Sequence, residues 1–375
     1  MVKSSFILFC SIAALLYFAG CVKKEQKTPL KEFEKLPIEE IVGKQIILNS
    51  DTILNRPLSL IVQDSVAIFY DNSQLSGLTM LNLNDGSLIR RFAELGDKAT
   101  EFNTNALTID LNYARDNEFV VYQNNVPRRI FTFNIDSIIA RGDYRPAYLM
   151  EFPKELSLNE VKFLSESKYL GIPSFIAGNQ HQFAFFNSQK SQVTTALRLP
   201  DPADDYSKKF FSDSTYYAWL LNVLGGELKQ RPHHPMEFAY FSYYNGLARV
   251  FEVSENGEIT LISEKFNGYP KFEVLVSGEI SKSKVDNDAV VSSINIATSK
   301  DRIYALYSGK KSGLENSHLG SMVLEYDWEL NPIRILKLNR ECYNLTIDRN
   351  NPNLLYVLTG PSNADVFYYD LTVIK

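Results

Sequence analysis

Leu58–Ser59–Leu60–Ile61–Val62, Val66–Ala67–Ile68–Phe69–Tyr70, Leu78–Thr79–Met80–Leu81–Asn82–Leu83 and Ser87–Leu88–Ile89–Arg90–Arg91–Phe92 follow one another closely along the chain. The first pair is joined by Gln63–Asp64–Ser65 and the last pair by Asn84–Asp85–Gly86. Runs of β-branched and aromatic residues broken by Asn, Asp, Gly and Ser read as strands joined by tight turns. The stretch is therefore a four-strand antiparallel unit with short turns after its first and third strands.

The same grammar recurs. Leu107–Asp110, Glu118–Tyr122 and Arg129–Asn134 begin a second unit. Leu158–Leu164, Lys168–Ile172, Gln182–Asn187 and Gln192–Leu199 make a third. Trp219–Lys229, Glu237–Tyr244, Leu247–Val253 and Glu258–Lys265 make a fourth, and Val290–Thr298, Arg302–Ser308, Met322–Trp328 and Pro332–Leu338 a fifth. The sixth holds Asn344–Ile347, Leu354–Leu358 and Val366–Asp370. Leu107–Thr108–Ile109–Asp110 returns as Leu345–Thr346–Ile347–Asp348, each followed by a turn and an apolar strand, which marks an internal repeat. The sixth unit lacks a fourth strand, and Gln45–Asn49 near the start is an unassigned one. Joining the two ends in one sheet removes the open edges a ring of sheets would otherwise keep. The fold class expected is all-β: a six-bladed β-propeller closed by an N-terminal strand in the last blade.

Ahead of the propeller the chain carries an address. Met1–Val2–Lys3 precedes an uncharged apolar stretch from Phe6 to Phe18, too short to cross a bilayer of ~30 Å as a helix. Phe18–Ala19–Gly20–Cys21 then resembles a bacterial lipobox, with Phe18 in place of the usual Leu or Val. Residues 1–20 are read as a signal peptide and Cys21 as the lipidation site. Cys10 leaves with the signal, so Cys342 has no partner for a disulfide and reads as a small buried hydrophobe. Residues 21–44, with alternating Lys and Glu, read as a lipid anchor and solvated tether, and 45–375 as the propeller. Attachment to the cell envelope follows, with the outer membrane as the expected location and its side left open.

Composition removes other classes. With 45% hydrophobic and 22% charged residues, the chain is globular. A net charge of −5 argues against nucleic acid, whose phosphates need a basic surface. No Gly-rich phosphate loop is present, and four His with three Cys leave little for a metal centre. No cofactor is expected.

Arg302–Ile303–Tyr304–Ala305–Leu306–Tyr307–Ser308–Gly309–Lys310 and Glu325–Tyr326–Asp327–Trp328 resemble the fifth-blade signature of the TolB-like six-bladed β-propeller lipoproteins of Bacteroidetes. Gly226–Glu227–Leu228 through Arg231–Pro232, with Glu237–Phe238–Ala239–Tyr240, is similar to that family's fourth blade. The resemblance implies fold and address; the family has no established activity.

Turns after first and third strands lie on one propeller face, and the remaining connections on the other. The first set is short here, whereas Ala93–Asn105, Pro200–Tyr216, Phe266–Ala289 and Gly309–Ser321 are long. Binding residues sit on loops placed by a rigid scaffold, so the long-loop face is the expected binding face. Tyr206, Tyr216, Tyr217 and Trp219, beside Asp201, Asp204 and Asp205, suit a glycan or a peptide, or a lid packed on the next blade. Lys310 and Lys311 lie in a polar, Gly-rich loop on the same face. His233–His234 is set aside as a metal site, because adjacent side chains of an extended chain point apart. The function expected is partner binding, protein or glycan, without catalysis. The alternative is a calcium-dependent hydrolase with its site in the channel, where Asn105, Asn159, Asn222, Asn295 and Asn344 mark first strands. Aligning Leu107–Asp110 with Leu345–Asp348 sets Ala106 opposite Asn344, which turns Asn105 to the other face and leaves no matched ring of ligands.

Overall fold

The computed structural model describes residues 28–49, 54, 56–71, 76–94, 102, 107–142, 145–154, 156–173, 181–200, 214–244, 246–277, 280–360 and 364–373. A 3-10 turn, Pro29–Phe33, and strands β1 (Ile38–Ile41) and β2 (Lys44–Ile46) come first. Blade one is β3 (Pro57–Gln63), β4 (Val66–Asp71), β5 (Ser76–Asn82) and β6 (Ser87–Glu94). Blade two is β7 (Leu107–Leu111), β8 (Glu118–Gln123) and β9 (Arg129–Asn134), then helix α1 (Ile135–Arg141) and β10 (Tyr148–Glu151). Blade three is β11 (Leu158–Ser165), β12 (Lys168–Pro173), β13 (His181–Asn187) and β14 (Gln192–Arg198). Helix α2 (Ser214–Val223) leads into blade four, β15 (Gly226–Arg231), β16 (His234–Ser242), β17 (Leu247–Val253) and β18 (Ile259–Phe266). A hairpin, β19 (Phe272–Ser277) and β20 (Ile280–Val285), precedes blade five, β21 (Ser293–Thr298), β22 (Ile303–Tyr307), β23 (Gly320–Tyr326) and β24 (Pro332–Cys342). Blade six is β25 (Asn344–Ile347), β26 (Leu354–Thr359) and β27 (Asp365–Asp370).

The ring is closed as the repeat count requires: β2 pairs antiparallel with β27, setting Lys44 against Tyr368 and Ile46 against Val366. The closing strand sits slightly earlier than the expected Gln45–Asn49. Its continuation docks on blade one, where Asn49 N donates to Gly86 O at 3.1 Å. Gly86, at φ +68°, lies so close to this segment that a Cβ would meet Ile47 O at 1.9 Å. Only glycine fits that turn.

Aromatic side chains fill the spaces between blades. Phe92, Phe119, Phe131 and Phe133 pack with Phe102 between blades one and two. Tyr122, Phe152, Tyr169 and Phe186 do so between two and three, and Phe183, Tyr240 and Phe251 between three and four. Such rings bring large apolar area to a wedge-shaped space. Cys342 is buried between blades five and six, and desolvation pushes its thiol far above the ordinary range.

Three expectations need correction. Residues 29–46 are part of the propeller, whereas the solvated tether was expected to run to Lys44. Phe33 is 1% exposed and meets the Tyr326 ring edge-on at 5.0 Å. Strand β1 pairs in parallel with β24, making a fifth strand of blade five. The charges that read as solvated are partners: Glu39 with Arg334 at 2.7 Å, Glu40 with Lys337 at 3.0 Å, and Glu32 with Lys265. Secondly, the expected strand Trp219–Lys229 is the end of α2 followed by β15. Its run of apolar residues fits both periods, and the strand begins only at Gly226, where a Cβ would strike Phe241 O at 2.0 Å. Thirdly, the long connection after blade four contains the β19–β20 hairpin.

The strap formed by residues 29–41 contributes stability through one anchor above all. Phe33→Ala should cost about 3–5 kcal/mol, read as a lowered urea midpoint with an unchanged m-value; an unshifted midpoint would return this segment to the status of a tether.

Candidate functional site

First strands β3, β7, β11, β15, β21 and β25 surround the central channel, and their inner edges have no further strand to pair with. Unpaired N–H groups away from water must find an acceptor. Side chains of the preceding blade supply it. Leu228 N donates to Glu160 Oε2 at 3.1 Å, Ile296 N to Glu227 Oε2 at 3.1 Å, and Leu345 N to Asn295 Oδ1 at 2.9 Å. Asn295 Nδ2 also donates to both Glu227 oxygens at 2.9 Å. Each acceptor precedes, by one residue, the position whose equivalent in the next blade donates.

This register corrects the repeat alignment. Asn112 N bonds Glu118 O across the turn of blade two, and Asp348 N bonds Leu354 O across that of blade six. Asn112 therefore matches Asp348, and Thr108 matches Asn344; the four-residue repeat is offset by two residues in the fold. Ser59, Thr108, Glu160, Glu227, Asn295 and Asn344 occupy equivalent positions around the channel; what changes is the alignment, which had set Ala106 opposite Asn344. Asn105 lies outside the described residues.

Two residues deeper lies a charged layer. Lys162, 5% exposed, pairs with Asp110 and with Glu160 at 2.9 Å. Burial alone would raise the Asp110 carboxyl, but Lys162 and Lys229 outweigh it and hold it below the usual range. The converse holds for Lys162, whose ammonium is kept charged against burial by Asp110 and Glu160. Glu227 differs: desolvation pushes its carboxyl up, Glu160 adds to the rise, and Lys229 opposes it.

Below that layer the channel is shut. Tyr113 of blade two reaches the Thr298 side chain of blade five, directly opposite. Arg349 of blade six donates to Asn112 O at 3.0 Å and Asp116 Oδ1 at 2.8 Å, with its guanidinium over the Tyr113 ring. What remains is a well of about 550 Å³, lined by Ser59, Asp110, Asn159, Glu160, Asn222, Glu227, Lys229, Tyr243, Asn295 and Asn344. It opens toward the long-loop face, where Asn222 of α2 and Tyr243–Tyr244 stand at its rim.

The ring of stitches stops at blade six. Asn344 is 7% exposed, lines the well, and its Oδ1 has no hydrogen-bond partner among the described residues; the same is true of Ser59 Oγ. A buried acceptor left unmet costs about 1–3 kcal/mol.

The residues singled out in the sequence fall elsewhere. Cys21, Tyr206, Asp201, Asp204 and Asp205 lie outside the described residues, as do the side chains of Tyr216 and Tyr217 on α2. Trp219 is half-buried against the cluster between blades three and four, while its helix neighbours Leu221 and Asn222 line the well. Lys310 pairs with Glu341 and Lys311 with Asp288, both at 2.7 Å. His233, at φ 64°, occupies the first turn of blade four on the short-turn face. Among the described residues, no group of three or more His, Cys, Asp or Glu is arranged to hold a metal ion.

Solved structures repeat this architecture. A protein of Bacteroides fragilis described as a candidate exported protein superposes with a TM-score of 0.51 at 10% identity, covering 90% of this chain and 100% of its own. A Bacteroides thetaiotaomicron protein of unknown function gives 0.44 at 9%, covering 88% and 74%. The Cps50 (Swd1) β-propeller domain of Myceliophteria thermophila gives 0.42 at 8%, covering 87% and 99%. The fold is shared with the Bacteroides fragilis protein; the sequence is not. No protein-family model matches the chain, and no curated protein matches it.

Glu227 gives a pH signature. Its folded pKa lies above its unfolded value, so stability is full below the unfolded pKa and falls as pH rises through the folded one. Glu227→Gln should flatten that fall: urea midpoints of the variant are expected to gain on wild type between acid and neutral pH. Parallel pH profiles for the two proteins would show that the carboxyl carries no such cost.

Proposed function

We propose that this is an exported, lipid-anchored, non-catalytic binding protein that takes the end of a glycan into its channel well from the long-loop face. The observation that carries this reading is the closed-bottomed well with the unmet Asn344 acceptor. Its volume falls within the range of about 300–1,000 Å³ usual for small-molecule sites. Amides, carboxylates, an ammonium and tyrosines around a concave space suit a ligand rich in hydroxyl groups. A turn of the Asn344 amide that brought Oδ1 to a ligand hydroxyl in the well would satisfy the orphan acceptor and convert its cost into affinity. The carboxylates are committed to structure: Glu160 and Glu227 already accept from backbone N–H groups of the next blade. That favours binding over acid–base work, and likewise over a calcium site built from the same oxygens. Anchoring rests on the lipobox-like Phe18–Ala19–Gly20–Cys21. The TolB-like lipoprotein resemblance and an envelope location belong to the same reading.

Calorimetry of the Cys21→Ser protein against a panel of mono- and disaccharides tests the ligand class, with Ca²⁺ and EDTA arms alongside. Asn344→Leu should weaken the best binder by about tenfold or more, which is ~1.4 kcal/mol, and leave the urea midpoint unchanged or raised. Equal affinity in the variant, or a melting temperature that rises only with Ca²⁺, would overturn the glycan reading. Separately, Cys21→Ser should move the protein from the membrane to the soluble fraction of expressing cells.

A further inference from the structure

Thr28, where the described chain begins, lies on the long-loop face. Its side chain meets the hydroxyl of Tyr307, at the end of β22 that leads into the long Gly309–Leu319 connection. Pro29 and Glu32 share a crevice with Gly246, Asn267 and Ser292, which belong to connections on that same face. From there the chain descends to the short-turn side, where Pro37 O accepts from Ile335 N near the start of β24. Crossing from one face to the other thus takes residues 28–37.

Only residues 22–27 separate Thr28 from Cys21. Even fully extended, that link spans at most about 25 Å, at roughly 3.6 Å per residue. The link leaves the folded body from the long-loop side. A lipid on Cys21 is therefore held within about 25 Å of Thr28, on the side of the long loops.

The same face carries what a bilayer surface accepts. Leu275 on β19 is 49% exposed and Leu314 is 52% exposed. They belong to neighbouring elements, because the loop bearing Leu314 docks at the foot of the hairpin: Ser312 Oγ donates to Asp286 O at 2.7 Å and Gly313 N to Asn287 O at 2.9 Å. Exposed Lys271, Lys282 and Lys284 flank Leu275, with Glu273, paired to Lys284 at 3.6 Å, among them. Apolar tips among long charged side chains suit the boundary between acyl chains and headgroups.

We infer that the anchored protein lies with its long-loop face, and so the mouth of its well, toward the bilayer, with Leu275 and Leu314 at headgroup level. This rests on the anchoring part of the proposed function and is independent of the glycan. A ligand would then enter along the membrane surface, between protein and headgroups.

The test uses full-length lipidated protein in vesicles of phosphatidylethanolamine and phosphatidylglycerol carrying a headgroup energy acceptor. Leu314→Cys reports on the long-loop face and Asn350→Cys on the short-turn face, each labelled with one donor dye; the native Cys342 is buried. The expected result is loss of donor fluorescence at position 314 and little at 350. Equal loss at both positions, or greater loss at 350, overturns the orientation while leaving the anchor intact. Flotation of the Cys21→Ser protein with the vesicles as fully as wild type defeats the anchoring reading, and the orientation with it.

Discussion

Everything in the centre of this molecule answers to the open inner edges of six first strands. A sheet edge in a closed ring cannot be paired by adding another strand, since the channel has no room for one. Blades three, four and five solve this with a side-chain oxygen that reaches the next blade's backbone: Glu160 to Leu228, Glu227 to Ile296, Asn295 to Leu345. Each bond is local to an edge but joins two blades, so satisfying the backbone also fixes the angle between neighbours. Carboxylates serve where an amide would, at the cost of burying charge. Lys162, which meets Glu160 at 2.9 Å, and Lys229, which acts on Glu227, offset part of that cost.

A second set of contacts holds the ring from outside. The first described residues pass from blade four to blade five to blade six before β3 begins. They combine main-chain pairing with ion pairs such as Glu39–Arg334, and Arg334 also meets the buried Glu325. Strand closure through β2 would suffice to seal one seam. The longer path also covers the outer edge of β24, which would otherwise be free to pair with another chain.

Much of this was legible in the sequence, and the parts that were not share a cause. Alternating apolar runs and the Asn84–Asp85–Gly86 type of turn announce strands locally, so blades one and three could be read nearly to the residue. The missing strand of blade six was legible as a deficit. The strap was not, because its partners lie some three hundred positions away and its Lys–Glu alternation looks the same whether paired or solvated. The channel ring was hidden for a related reason. Its members are Ser, Thr, Glu, Glu, Asn and Asn, alike only in offering an oxygen, and their contacts run between blades. The repeated Leu–Thr–Ile–Asp even misdirected the alignment: Asp110 holds Lys162, whereas Asp348 accepts Asp64 N and Asn350 N within the short turns. Identical letters there perform different work.

The floor made by Tyr113 and Arg349 changes what kind of cavity this is. A channel open at both ends offers two routes, and its occupant can be pushed through by the next arrival. Here anything that entered would have to leave by the same way, past whatever stands at the rim. Exchange becomes strictly one at a time, and residence is governed by the mouth. In shape the cavity is a socket and not a conduit.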